Sequence, residues 1–363
     1  MKKKLEEIST IIMGQSPKSC FYNQKGDGLP FLQGCTTFGR LYPTYDMWTT
    51  IYSKSANPND VLFTVRAPVG DVNYCQQITA IGRGIAAIRA TSVFPKYLYY
   101  LLEANNKLFA SSSTGTIYQS INKDKLTQVE LDVHNLDEQR HIVDTIGSVD
   151  DLIENIGLQR EAMNSLIETK LSKFKSFCPI RNYNPEIIKP GLHAFEGQKI
   201  YLDTSCVEKT SPIDLTHLIT ENEKPTRANM QPEENSAWTA RMAQSFKVLA
   251  ISDYDKTLVQ QCVLSTGFIG VKETVELPCS FLYAVFIGQS FRKAKDQLST
   301  GSTMSAINNK EFLNLSVPSL KQNEMLDFDS QVKPLINHLS ILREKEIALK
   351  QIKVKLLSIF FDF

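Results

Sequence analysis

A chain of 363 residues, 42% hydrophobic and 22% charged, is long enough for two or more domains that each bury a core. Its apolar runs fall well short of the ~18 residues that span a bilayer. The basic start Met1-Lys2-Lys3-Lys4-Leu5 leads into no apolar signal core, so neither a membrane anchor nor a secretion signal is expected. A net charge of +1 is low for a protein that only coats nucleic acid. Seven cysteines without a CxxC pair argue against zinc and against a disulfide framework, and suit reduced thiols in the cytoplasm.

Residues 8–135 are rich in Gly, Pro, Ser, Thr and aromatic residues, with strand-like runs at Pro30-Phe31-Leu32, Asp60–Val65 and Ile85–Ile88. Turn signals at Gly26-Asp27-Gly28 and Asn57-Pro58-Asn59-Asp60 separate them, and a short helix is expected at 95–108. From Gln139 to Phe177 apolar residues then recur at alternating spacings of four and three: Ile142, Ile146, Val149, Ile153, Ile156, Met163, Ile167, Phe174 and Phe177. That heptad stripe predicts a helix of about 60 Å, interrupted by Arg160 and Lys170. Pro179 and Pro185 mark its exit.

A second segment, 180–320, has the texture of the first. Its strand-like runs are Ile200-Tyr201-Leu202, Lys247–Ile251 and Phe268–Val271, with a short helix at 280–293. A second stripe follows: Phe328, Val332, Leu335, Leu339, Leu342, Leu349, Leu356 and Phe360, broken by Glu346 and Lys353. Pro334 should start or kink that helix. Each stripe fits a helix laid on its own domain; two of similar length favour mutual antiparallel packing.

The second half also restates the first in order. Ser113-Thr114-Gly115-Thr116-Ile117-Tyr118-Gln119-Ser120-Ile121-Asn122 finds a partner in Ser299-Thr300-Gly301-Ser302-Thr303-Met304-Ser305-Ala306-Ile307-Asn308, with five identities in ten. Val129–Val133 matches Leu315-Ser316-Val317, and Leu152–Ile156 matches Leu335–Leu339. The offsets are 186, 186 and 183 residues. A unit built twice suggests a two-part target.

Catalytic signatures are missing. There is no GxxxxGK[ST] loop, no HExxH, no GxSxG and no [DN]PP[YF], and the five histidines are scattered. Binding chemistry is better represented. Arg66 stands between a strand and a Pro/Gly turn, and Arg83 is flanked by Gly82 and Gly84, which let a partner approach the backbone. Lys18, Tyr22, Gln24 and Lys25 form a polar and aromatic cluster. Ser113, Thr114 and Tyr118, and in the second copy Ser302 and Thr303, lie in loops whose hydroxyls suit phosphate oxygens or which serve as plain connectors. Arg292 and Lys293 sit in a short basic run, and Arg227 and Arg241 complete the candidates. No catalytic, cofactor-binding or metal residue is assigned. Taken singly, each candidate is also ordinary surface.

With the Ser-Thr-Gly…Ile-Asn blocks at 113–122 and 299–308, Leu136-Asp137-Glu138-Gln139-Arg140 at the helix entry, Gly14-Gln15-Ser16-Pro17 and Pro30-Phe31-Leu32-Gln33-Gly34, the chain resembles the DNA specificity subunits of type I restriction–modification systems. The second copy departs at Leu320-Lys321-Gln322-Asn323, and 222–245 has no clear counterpart in the first globule. The resemblance implies a mixed α/β (α+β) fold with a pseudo-two-fold internal repeat. Two globular target-recognition domains, 1–138 and 179–322, are separated by two long antiparallel coiled-coil helices, a central one at 139–178 and a C-terminal one at 323–363. Each domain would read one half of a bipartite, asymmetric site in double-stranded DNA, without chemistry of its own. Two partner methyltransferase (modification) subunits would methylate adenine with S-adenosylmethionine, and restriction/translocase subunits would use ATP and Mg; this chain would hold no cofactor and meet no membrane. The alternatives are the specificity partner of a fused restriction–methylation enzyme, and a non-DNA coiled-coil scaffold.

Overall fold

The computed structural model describes residues 1–112, 120–298 and 306–361. The chain is mixed α/β and divides into two compact units: Met1–Leu152 with the chain from Leu349 onward, and Ile153–Ala348. Among the described residues no helix is long and apolar enough to cross a membrane.

The first unit holds strands β1 (Lys2–Lys4), β2 (Ser9–Met13), β3 (Tyr22–Asn23), β4 (Leu29–Leu32), β5 (Trp48–Thr49), β6 (Ser55–Ala56), β7 (Val61–Thr64), β8 (Val72–Tyr74), β9 (Thr79–Ile81), β10 (Ile85–Ala90) and β11 (Glu130–Asp132). The second holds β12 (Phe177–Pro179), β13 (Glu186–Ile187), β14 (Lys199–Leu202), β15 (Val207–Glu208), β16 (Ser211–Pro212), β17 (Leu218–Ile219), β18 (Ala228–Met230), β19 (Ser236–Ala240), β20 (Val248–Ile251), β21 (Cys262–Ser265), β22 (Phe268–Lys272) and β23 (Ser316–Pro318).

The two sets make the same sheets. Order β2-β10-β7-β8 in the first unit is matched by β13-β22-β19-β20 in the second. Order β5-β4-β9-β6 is matched by β17-β14-β21-β18, and in both the middle pair is parallel. β3 extends this second sheet at the β5 edge. A small antiparallel pair, β1 with β11 or β12 with β23, closes each repeat. Residues 222–245, which looked unmatched in the sequence, hold β18 and β19, the counterparts of β6 and β7. All five residues of β19 are buried, so it carries no polar alternation and is hard to recognise as a strand.

Helices pack on the β2-β10-β7-β8 sheet and on its counterpart β13-β22-β19-β20. In the first unit α1 (Leu5–Ile8) leads into β2, and α2 (Pro95–Ala104) buries Tyr97, Leu98, Tyr99, Tyr100, Leu101 and Leu102; α3 (Asn106–Ser112) follows. Asn122 accepts the Lys125 amide to cap α4 (Lys123–Thr127). The second unit has α6 (Lys256–Gln261), the fully buried α7 (Cys279–Ile287), α8 (Gln289–Leu298) and α9 (Asn309–Leu313), whose Asn308 and Glu311 form a capping box.

The long helices are α5 (Leu136–Leu171) and α10 (Gln322–Phe361). They begin 186 residues apart, as the Ser-Thr-Gly blocks do. Glu138 accepts the Asn135 amide at 3.1 Å, and Glu324 accepts the Lys321 amide at 2.7 Å, so Glu324 serves the second helix as Glu138 serves the first. In the first unit Asp150 meets Lys353 and His141 meets Phe360, which makes the helix segments antiparallel there. In the second unit Arg160 with Glu346 and Lys170 with Gln331 give the same sense.

Two expectations about these helices change. α5 stops at Leu171, short of the stripe's last two members. Phe174 lies in the following turn, packed on Phe328 at 6.2 Å, and Phe177 opens β12, two residues ahead of Pro179. The residue before a proline disfavours helix, which suits Cys178 in a strand. α10 starts twelve residues before Pro334 and runs through it; burial of Val332 and Ile336 on either side holds the turn despite the missing amide.

Candidate nucleic-acid interface

The strand order of the first unit brings together residues far apart in sequence. Arg66 follows β7 and bridges Ser120, while the Val65 amide donates to Gly84 O at 3.0 Å and Val65 O accepts the Ile121 amide at 3.0 Å. Arg83 sits on the turn between β9 and β10, its amide donating to Ser16 Oγ at 3.1 Å. A Cβ on Gly84 would stand 2.4 Å from Gln33 O, so only glycine permits that turn to lie against the chain below it. Arg66 and Arg83 are both exposed and line one cleft of about 160 Å³ with Ser16, Gln33, Cys35 and Thr64. Burial pushes the Cys35 thiol up from its ordinary pKa, and Asp71 adds to the shift, so the thiol is neutral at neutral pH.

The hairpin loop after Arg66 is built to hold its shape. Thr64 Oγ1 donates to Pro68 O at 2.6 Å and accepts the Asp71 amide at 2.8 Å. Gly70 has φ +104°, and a Cβ there would meet Asn106 Oδ1 at 2.7 Å.

A second, more open hollow of about 590 Å³ carries Tyr22, Gln24 and Lys25 with Cys20, Asp27 and Thr50. Tyr22 is fixed by its hydroxyl on Pro17 O at 2.9 Å and by Phe31, 4.8 Å between ring centroids. The tip of the Phe31 ring lies 3.1 Å from where a Cβ on Gly82 would stand, next to Arg83. Lys18 is exposed at the start of the 3-10 turn Ser19–Phe21. Of the candidates in this unit, Arg66 and Arg83 thus share one cleft and Tyr22, Gln24 and Lys25 another. Ser113, Thr114 and Tyr118, like Ser302 and Thr303, lie outside the described residues.

The second unit treats its arginines differently. Arg241 is half-buried and committed to the fold: Nε donates to Phe268 O at 3.1 Å, Nη1 to Ile307 O at 3.3 Å and Nη2 to Asn309 Oδ1 at 2.9 Å. Burial lowers its pKa from the usual arginine range. Arg292 stacks on Phe246 at 4.1 Å and lies 3.7 Å from Glu168, which also ties it to the framework. Lys293 and Arg227 are exposed, and Arg227 O accepts the Thr266 amide at 2.8 Å. Two of the four come near each other at Gly267, whose carbonyl accepts the Arg241 amide at 2.9 Å and where a Cβ would stand 3.9 Å from Arg227 Nη2.

Buried charge is what sequence inspection missed. Lys295 is buried on α8, donates to Ala240 O at 3.0 Å and Ser245 O at 2.6 Å, and burial lowers its pKa to about 8. Arg343 reaches from α10 to Ala250 O at 2.9 Å and to Asp255. The only sequence signal for such residues is a charge interrupting an apolar stripe.

Known proteins resemble this arrangement. Residues 1–163 match the family profile described as the type I restriction modification DNA specificity domain. A putative type I restriction enzyme MjaX specificity subunit from Methanocaldococcus jannaschii is 38% identical over 151 residues, 41% of this chain and 36% of that protein. The chain therefore aligns with little more than a third of that curated relative's length. The solved HsdS subunit from Thermoanaerobacter tengcongensis is 40% identical over 40% of this chain and 35% of its own, with a TM-score of 0.36. The S subunit of a type I restriction–modification system from M. genitalium covers 99% of this chain and 96% of its own with a TM-score of 0.58 at 16% identity, a likeness of fold. Residues 1–163 are thus similar to the type I restriction modification DNA specificity domain, and over nearly its whole length the chain shares the fold of a solved specificity subunit.

Proposed function

We propose that this chain is a sequence-specific DNA-binding specificity subunit whose two units each read one half of a bipartite, asymmetric site. The observation that carries the proposal is one strand order built twice, with the candidate contact residues on its loops differing between copies. A shared frame with unlike rims is what two readers of unlike half-sites need. Residues 1–138 and 179–322 would be the reading domains, and the helices at 139–178 and 323–363 the spacer. The chain itself would be non-catalytic and cytoplasmic. Partner methyltransferase subunits would dock on it and methylate adenine with S-adenosylmethionine, and ATP- and Mg-dependent restriction subunits would join them. Their charges would share the work of holding phosphates, which suits a subunit of nearly neutral charge.

The test is to copurify the chain with the methyltransferase encoded beside it and follow duplex binding against salt concentration. Phosphate contacts give a steep decline in log affinity with log salt. A flat response would point to a protein scaffold. Exchange of residues 1–138 with those of a relative should then change one half of the methylated sequence; change in both halves would overturn the division of labour.

A further inference from the structure

The two repeats can be laid on each other by their backbone hydrogen bonds. The Val65 amide donates to Gly84 O and Val65 O accepts the Ile121 amide; the Arg241 amide donates to Gly267 O at 2.9 Å and Arg241 O accepts the Ile307 amide at 3.0 Å. The following residue bridges the same partner in both, Arg66 with Ser120 and Met242 with Ala306. On this frame Arg66 corresponds to Met242, and Arg83, just before Gly84, corresponds to Thr266, just before Gly267. The two positions that hold guanidinium groups in the first unit therefore hold a thioether and a hydroxyl in the second, where a guanidinium comes from elsewhere: Arg227 Nη2 lies 3.9 Å from where a Cβ on Gly267 would stand. Met242 is 37% exposed, so the position faces solvent in both units.

Arg241 does not restore the missing charge. Counting on from the paired Ile11 and Ile187, the place of Gly14 is taken by Pro190. Gly14 donates its amide to Ile85 O at 2.9 Å, whereas proline has no N–H. Arg241 Nε supplies the donor to Phe268 O, the equivalent carbonyl, and is held there.

We propose that Arg66 and Arg83 are specificity-determining residues that select guanine in the half-site read by the first unit, and that the second unit, with Met242 and Thr266 at those positions, does not read guanine through them. The inference rests on the DNA-reading role proposed above. Its chemistry is direct. A guanidinium presents a planar pair of donors that fits O6 and N7 of guanine. Among the lining residues of the Arg66–Arg83 cleft there is no carboxylate to occupy those donors. A methionine side chain and a threonine methyl offer apolar contact instead, which suits the methyl group of thymine.

The experiment is selection from a randomised duplex library by the full chain copurified with its neighbouring methyltransferase, in wild-type, R66Q, R83Q and M242R/T266R forms. Wild type should enrich a two-part sequence with guanine in one half. R66Q and R83Q should each lower the preference for guanine at one position by about tenfold or more and shift it toward adenine, whose N6 and N7 fit glutamine, with the other half-site unchanged. M242R/T266R should bring guanine into the other half. Arg66 and Arg83 are exposed, so the melting temperatures of R66Q and R83Q should stay at the wild-type value. Unchanged preferences in the arginine variants would overturn the inference alone. So would a uniform loss of affinity with a shallower salt slope, which marks phosphate contacts. Failure of wild type to enrich any sequence would instead overturn the DNA-reading role.

Discussion

Where the first unit packs Ala87 of β10 opposite Leu62 of β7, the second packs Gly270 of β22 opposite Trp238 of β19. Where the Ser-Thr-Gly blocks align Phe109 in the first unit, buried against Phe63 at 5.0 Å, the second has Lys295, buried against the carbonyls of Ala240 and Ser245. The helix pairs differ as well. The first unit seats Lys353 between Asp150 and Glu103, with the Tyr100 hydroxyl donating to Asp150; the second pairs Arg160 with Glu346 at 2.6 Å. Backbone order is the same in each case and the filling is different. One topology accepts an apolar solution or a polar one wherever every buried donor and acceptor finds a partner.

Breaking the helix pairs should have the largest effect. R160M removes the bonds from Arg160 to Ser211 and to Glu346, 3% exposed, and should cost about 1.5–3 kcal/mol of stability, while R160M/E346M should cost less than the sum of the two single changes. K353M leaves two carboxylates and a buried Tyr100 hydroxyl facing one another and should cost a comparable amount. Hydrogen exchange should show the loss chiefly in residues 153–348 for R160M and in residues 1–152 for K353M. Equal loss in both regions from either variant would break the comparison of two separately cored units.

Lys295 gives the next effect, through pH. Its folded pKa of about 8 lies below the ordinary lysine value, so between pH 8 and 10 the unfolded chain binds more protons than the folded one. Stability of wild type relative to K295M should therefore rise across that window, by up to on the order of 3 kcal/mol. Denaturant titrations at pH 7.5, 8.5 and 9.5 (roughly spanning the shift) measure it; a pH-independent difference between the two proteins would mean Lys295 stays charged without cost.

The smallest effect belongs to the sheet. A Cβ on Gly270 would stand 2.6 Å from the Trp238 ring, so G270A should cost about 1–3 kcal/mol by overpacking. G270A/W238L imitates the Ala87–Leu62 solution and should lie above the sum of the two single changes in stability. Strict additivity in that cycle would show that the two faces are not interchangeable.

Much of the fold is legible along the chain because it rests on local chemistry. Asn122 and Asn308 announce α4 and α9 as caps, and the four-and-three spacing announces both long helices. The stripe overran at Phe174 and Phe177, since an apolar side chain serves a helix seam and a strand equally well and only the chain's exit decides between them. β19 went unseen because total burial removes the alternation that marks a half-exposed strand. At the candidate site, Arg66 and Arg83 were visible as arginines beside turns, but Arg241 looked the same and is spent on the fold, in part on the Phe268 carbonyl that Pro190 leaves without a donor.

Sequence by itself determined the repeat, its element order and the places where charge interrupts each seam, because helical period, capping and turn chemistry act over a few residues. Only the tertiary structure decided that Arg160 and Glu346 answer each other across 186 residues, that Arg66 and Arg83 share a cleft, and that Arg241 does not belong to one. Those outcomes depend on which donors and acceptors are buried together, and burial depends on the packing of the whole unit rather than on any local pattern.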